Sequence, residues 1–328
     1  MGKRNVHLAL ACLRAGALAL AFAQSPAAAA DYPLRPVSLL VASTPGGSTD
    51  TAARLLAERM SQVFGKRFVV ENRPGANGTI SAAALARAPA DGHTLLFSSN
   101  QAFTLAPHVM KTLPYDPLAD FAPVTQGCVI QLVLVAHPSL GAATLAEFIA
   151  AARKAPGRIQ YASGGEGSDH HLAMELLQIG TGIRLDHVPY KAGPLGYADV
   201  LGGHVMAMFI VPGTAARHVK EGRVVALGVA SARPIDTYPG VPPISSVLPG
   251  YEFEAWLGLN APRGTPPEVI ARLNAEARAA LASPEIAAKM TSMGLVPRTG
   301  TPEELAARVK SDHRKYGKLI REIGLATR

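Results

Sequence analysis

Twice along this chain a short apolar run ends in glycines flanked by hydroxyls and an aspartate, and a helical pattern starts at once: "STPGGSTD" at 43–50 and "ASGGEGSD" at 162–169. Each corner sits in its own series of β-rich runs alternating with helical patterns. The first series reads "VSLLVAS", a helix over 51–64, "RFVVENR", a helix over 79–88 and "HTLLFSS". The second reads "VIQLVLVAH", a helix over 144–155, "RIQYASGG", a helix over 169–179, "LDHVPY", a helix over 194–201, "VMAMFIV" and "VVALGVAS". Such alternation builds a parallel sheet with crossover helices, so two series predict two α/β units. The length of 328 residues agrees, because a domain takes about 150 residues.

A Pro- and Gly-rich connection, "VPPISSVLPGYEFEAWLGLNAPRGTP", follows, and two amphipathic helices over 266–282 and 302–322 end the chain. Their start signals are Thr265-Pro266-Pro267-Glu268 and Thr301-Pro302-Glu303-Glu304. Both helices read as scaffold.

Residues 1–30 differ from the rest. Lys3 and Arg4 precede the apolar "LALACLRAGALALAFA", and Ala28 and Ala30 form an A-x-A pattern before Asp31. This is the layout of a secretory signal peptide cleaved near Ala30, which directs the chain to the periplasm. No later stretch supplies the roughly 20 apolar residues of a membrane span. Cys12 lies inside the signal in a poor lipobox, and cleavage leaves Cys128 as the sole cysteine, read as a buried, inert thiol.

The apolar share of 48% against 17% charged residues is that of a soluble globular chain. The net charge is +8, but three of the 32 basic residues belong to the signal, leaving 29 against 24 acidic residues, or plus five. Lys and Arg are scattered singly, so no nucleic-acid groove is expected, and the surplus favours small anions.

At each corner the first backbone N–H groups of a helix lack intrahelical partners, and the helix dipole adds partial positive charge. Glycines let a ligand approach, and Ser48, Thr49 and Ser168 offer hydroxyls. A carboxylate matches that set of donors. Neither corner ends in the Gly-Lys-Ser/Thr of a phosphate loop, and Gly167-Ser168-Asp169 does not satisfy the G-x-S-x-G of a nucleophile elbow. One such corner is most simply a tight turn with a helix cap. Two, one per α/β unit, can face each other across a cleft, where open α/β sheets bind ligands.

Other features have plainer readings. Asp169-His170-His171 does not suit a metal, because adjacent side chains on a helix point about 100° apart; one histidine reads as packed inside and the other as near the cleft or solvent. His187 reads as a structural histidine, Asp116 and Asp120 as turn residues, and "RPGANG" at 73–78 as a Gly-rich turn that leads into the next helix or approaches the cleft. Trp256, the single tryptophan, is either a packing residue at the hinge or a wall of the site.

The ordered stretches "YPLRPVSLLVASTPGGSTDTAARLLAERM", "VVENRPGANGTISAAALARAPADGHTLLFSSN", "LPYDPLADFAPVT", "IQYASGGEGSDHHLAMELL", "HVPYKAG", "LGGHVMAMF" and "WLGLNAPRGTP" resemble the Bug family across essentially the whole mature chain. These are extracytoplasmic solute receptors of tripartite tricarboxylate transporters. The resemblance implies a type II periplasmic-binding-protein fold: two α/β domains joined by crossing hinge segments, with a ligand cleft between them. Domain 1 would comprise 31–130 and 256–328, and domain 2 would comprise 131–255. It implies a monomeric, non-enzymatic receptor without cofactor or metal, which carries a small-molecule carboxylate to membrane permease subunits.

The ligand-holding roles then fall on Ser43, Thr44, Gly46, Gly47, Ser48 and Thr49 at the first corner, and on Ser163, Gly164, Gly167 and Ser168 at the second. Ser98 and Asn100 would lie beside the first corner, Asp169 beside the second, and Tyr190 and Asp199 near the cleft. Where the family commonly reads "ASSGNGTSQHL", this chain has Gly164, Glu166, Asp169 and His170 at the varied places, and Ala192-Gly193 replaces the usual Gly-Ser. Two added carboxylates oppose a simple dicarboxylate unless they point away or meet a cationic group. The other readings are a secreted serine hydrolase using Ser168 with His171, and a receptor that feeds a sensor protein.

Overall fold

The computed structural model describes residues 32–325, so the expected signal peptide lies outside the described residues. The chain runs β1 (Val37–Val41), α1 (Ser48–Phe64), β2 (Phe68–Asn72), α2 (Thr79–Ala86), β3 (Thr94–Ser99), then a π-helical turn (Gln101–Leu105) leading into α3 (Ala106–Val109). It continues with β4 (Phe121–Ile130), β5 (Val133–Ala136), α4 (Leu145–Lys154), β6 (Gln160–Ser163), α5 (Asp169–Thr181), β7 (Asp186–Pro189), α6 (Gly193–Leu201), β8 (Ala207–Ile210), α7 (Pro212–Lys220) and β9 (Val225–Val229). It ends with β10 (Ala255–Pro262), α8 (Pro267–Ala282), α9 (Pro284–Ser292), β11 (Leu295–Pro297) and α10 (Pro302–Glu322).

These strands form two sheets. The first has the order β11-β4-β10-β3-β1-β2 and the second β7-β6-β8-β5-β9. Each is built on one plan. Three parallel strands come from the local strand–helix series, β2-β1-β3 in one sheet and β7-β6-β8 in the other. An antiparallel strand then inserts beside the third: β10 pairs with β3 and β4, and β5 pairs with β8 and β9. Both inserted strands arrive directly after the chain has changed sheets, which links the units twice. This is the two-unit, crossing-segment α/β fold expected from the resemblance.

The run "VIQLVLVAH" was expected to be one strand and is two. Val129 and Ile130 end β4 in the first sheet, while Val133–Ala136 is β5 in the second. All residues of β5, β8 and β10 are buried. A strand covered on both faces has no alternating pattern, so hydrophobicity cannot mark where the chain changes sheets. For the same reason β10 lay hidden in the stretch read as a connection. The described residues also contain α3, α7 and α9, which the sequence reading did not separate, and α1 begins at Ser48, three residues earlier than expected.

Helices cover both faces of each sheet. Leu56 and Met60 of α1 with Leu273 and Leu281 of α8 pack on Leu39 and Phe97. On the opposite face Leu85 of α2 and Leu305 and Val309 of α10 enclose Leu96 and Trp256. In the second unit Phe148 of α4 and Leu172 and Leu177 of α5 cover one face, and Tyr197, Val200 and Ala215 the other. The final helix serves both units, because its Tyr316, Leu319 and Ile320 join the second unit's core. Its start is the expected one: the Glu304 N–H donates to Thr301 Oγ1 at 3.2 Å, and the Thr301 N–H donates to Glu304 Oε2 at 2.7 Å.

Candidate functional site: the cleft between the two units

The first corner is shaped by its own aspartate. Asp50 accepts from Gly46 N at 2.9 Å, Arg54 Nε at 3.0 Å and Asn72 Nδ2 at 2.7 Å, and the same Asn72 amide donates to Ser43 O at 3.0 Å. Burial alone would raise the Asp50 pKa, but the hydrogen bonds from Arg54, Asn72 and Gly46 hold it down at about 2. This permanent anion is spent inside the corner. No side chain caps α1, whose N-cap is Gly47, so its leading N–H groups stay open for a guest. The Ser43 hydroxyl is buried with no hydrogen-bond partner.

The second corner is organised differently. The Ser168 hydroxyl donates to Gly165 O at 2.7 Å and accepts from His171 N at 3.4 Å, which makes it the cap of α5. A hydroxyl has one proton to give, and here it goes to the loop. Ser163 Oγ bonds with Gly165 N at 3.0 Å and His187 Nε2 at 2.7 Å. His187 in turn stacks on His171 at 4.0 Å between ring centroids. The sequence reading of His187 as structural agrees with this placement.

Asp169 reaches across the cleft. Its carboxylate accepts from Gln101 Nε2 at 2.7 Å and Asn100 Nδ2 at 3.4 Å, while Asn100 Oδ1 accepts from Trp256 N at 3.1 Å. Burial, only partly offset by these amides, raises its pKa to about 6. Gly167 also lies on the seam: a Cβ there would come within 3.2 Å of Val109.

Between the two units lies a cavity of about 370 Å³. Ser48, Thr49, the Gly75–Gly78 turn and Gln101 wall it from the first unit, and Asp169, His170 and Lys191 from the second. The turn has an unusual backbone, with φ of 121°, 46°, 53° and 85° at Gly75, Ala76, Asn77 and Gly78. Four successive left-handed residues, two of them not glycine, are a strain that persists where the surroundings enforce it, often at ligand sites.

Residues 52–325 match the sequence model of a family described as the tripartite tricarboxylate transporter family receptor. The chain belongs to that family. The Bordetella pertussis protein BugT is 34% identical over 309 residues, covering 94% of this chain and 95% of BugT. Among solved structures, an R. palustris protein described with adipate is 32% identical, covers 91% of this chain and 100% of its own, and has a TM-score of 0.84. BugD, described as a periplasmic binding protein, is 31% identical with a TM-score of 0.80, covering 90% of this chain and 100% of its own. The Rhodopseudomonas palustris protein MatC, described with bound malate, is 30% identical with a TM-score of 0.78, covering 88% and 100%. Family members are thus periplasmic solute receptors.

Of the residues singled out in this receptor's sequence, Ser48, Thr49 and Asp169 line the cavity. Ser43, Thr44, Gly46 and Gly47 form the corner behind Ser48. Ser98 is buried and donates to Ser99 O at 3.1 Å, and Asn100 ties the strand end to Asp169 and Trp256. Gly164 packs against His170 and Gly167 against Val109. The Tyr190 hydroxyl donates to Asp199, so these two brace the loop into α6. Trp256 is a packing residue: it is fully buried, and its Nε1 donates to Asp312 Oδ2 at 2.8 Å.

Sequence reasoning missed Gln101 and Lys191 as parts of the wall, and left open whether His170 and the Gly75–Gly78 turn face the cleft. The turn was weighed as able to approach the cleft but assigned to helix entry, and its closely spaced glycines were the available signal. Gln101 carried none, because it follows a strand whose end is defined by pairing in space.

Proposed function

We propose that this receptor captures a small organic carboxylate in the cavity between its two units and delivers it to the membrane permease of a tripartite tricarboxylate-type transporter. The observation that carries the reading is the uncapped start of α1, opening with Ser48 and Thr49 onto a cavity of about 370 Å³ that the second unit closes from the other side. A carboxylate there meets backbone N–H groups, two hydroxyls and the positive end of a helix dipole. The adipate and malate bound to two related receptors support this class of ligand. The unit boundaries are taken to fall near residues 131 and 255, and the chain to be exported after cleavage near Ala30.

The protein acts by binding rather than by catalysis. A hydrolase using Ser168 would need the His171 imidazole on the Ser168 hydroxyl, but that ring nitrogen, Nδ1, accepts from Gly167 N at 3.0 Å. Burial, reinforced by His187, lowers the His171 pKa to about 3.

The test is a thermal-shift and calorimetric screen of the mature protein against mono-, di- and tricarboxylates, aromatic acids and amino acids. A ligand at 100 times its Kd adds about 2.7 kcal/mol of stability. Ser48→Ala and Thr49→Ala should each weaken binding by about 1 kcal/mol. Turnover of esters without a melting shift from any acid would defeat the proposal.

A further inference from the structure

We infer that the cavity takes a ligand with one carboxylate and an uncharged hydrogen-bonding far end, and that Asp169 and His170 select it. The inference rests on the carboxylate-receptor reading above and names the class of ligand for the same cavity.

The two walls differ in what they lack. The α1 wall has unpaired donors and suits one carboxylate. The α5 wall presents Asp169, 5% exposed, with its two oxygens held by amides of Gln101 and Asn100 and with no cationic side chain bonded to it. A carboxylate accepts only, so a second ligand carboxylate placed here would lie beside a buried like charge. Asp312 of α10 adds to the negative field at Asp169. Lys191 lines the same cavity at its exposed edge and makes no ion pair among the described residues. It sets a positive charge at the mouth against the buried one of Asp169, so the wall as a whole has no surplus of either sign and favours neither a second ligand carboxylate nor a ligand ammonium.

What the α5 wall does lack is a partner for His170. Its Nδ1 is shut in against Gly164 and Gly193 without a hydrogen bond among the described residues, so the polar edge left to the cavity is Nε2. The ring cannot turn away easily, because Gly164 and Gly193 are packed against it: Cβ atoms there would come within 3.1 Å of Nδ1 and 2.9 Å of Cε1. Desolvation lowers its pKa to about 4, so at neutral pH it is an uncharged imidazole. Such a ring answers a neutral hydroxyl or amide, and a hydroxyl or amide N–H also suits the remaining lone pairs of Asp169. Burying a charge opposite a neutral ring costs more than burying a neutral polar group that is hydrogen-bonded.

The experiment uses the mature protein at pH 7.5 and linear acids of matched chain length in five forms: a simple monoacid ending in methyl, and acids with a terminal carboxylate, amide, hydroxyl or amine. Titration calorimetry should show the amide or hydroxyl acid binding about 10-fold or more tighter than the diacid and the amino acid of equal length. Asp169→Asn, which keeps the shape and removes the charge, should narrow the gap to the diacid. His170→Phe should weaken the amide acid more than the simple monoacid. Tighter binding of diacids or amino acids, or an unchanged ranking in Asp169→Asn, overturns the inference while leaving the receptor reading intact. Failure of every form to bind overturns this inference, while the receptor reading stands or falls by the wider screen of acids above.

Discussion

The Gln101 side chain, just past the end of β3 in the first sheet, donates its amide N–H to the carboxylate of Asp169, the first residue of α5 in the second unit, at 2.7 Å. This bond spans the cleft beside the cavity between the units, and it accounts for an acidic residue at a place where the chain otherwise looks built for anions. Asp169 serves the seam between the units.

Breaking that bond should be costly. Gln101→Leu leaves a buried carboxylate with only the 3.4 Å contact to Asn100. The expected loss is about 1–3 kcal/mol of unfolding free energy. Urea titration of wild type and variant measures it, and equal midpoints would show that the bond carries no weight.

Asp169 also predicts a pH dependence. Its native pKa is raised to about 6, while an unfolded aspartate titrates near about 3.9. Below about 3.9 both states hold the proton. Between the two values the folded state holds a proton that the unfolded state releases, so this group's contribution falls as pH rises and levels off above about 6. Asp169→Asn should remove that fall. Denaturant melts at several pH values between the two pKa values, compared for the two proteins, provide the measurement.

Asp50 has the opposite sign. Its native pKa, about 2, lies below the unfolded value, so its stabilisation is present above about 3.9 and is lost as pH falls towards 2. Asp50→Asn should cost about 1–3 kcal/mol at pH 7, because Gly46, Arg54 and Asn72 lose a charged acceptor. The same melts extended to lower pH should show the variant losing less than the wild type.

Ser168→Ala separates a cap from a ligand contact. The hydroxyl's proton goes to Gly165 O and its lone pair receives His171 N, so stability should drop by about 1 kcal/mol with little change in ligand affinity. Calorimetry showing a drop in affinity of ten-fold or more would place Ser168 on the ligand instead.

Cys128 should be silent towards thiol reagents. It is fully buried in the first core, and desolvation pushes its pKa up to about 12. A colorimetric thiol reagent at pH 8 should react only as the chain unfolds, so its rate should follow denaturant. Prompt labelling of the native protein would contradict the burial.

The sequence by itself determined much of this protein. Two strand–helix series, two glycine corners and the Thr301–Glu304 start signal predicted two α/β units, the family match and the beginning of the last helix, because turns, caps and amphipathic faces are written in neighbouring residues. Only the tertiary structure decided which of those residues line the cavity between the units. Ser48 and Ser168 look alike in their corners, yet Ser48 lines the cavity and Ser168 closes on its own loop. Gln101 and Lys191 joined the wall because contacts between units link residues far apart in the chain, which no local pattern records. The strands β5 and β10, buried on both faces, concealed where the chain changes sheets for the same reason.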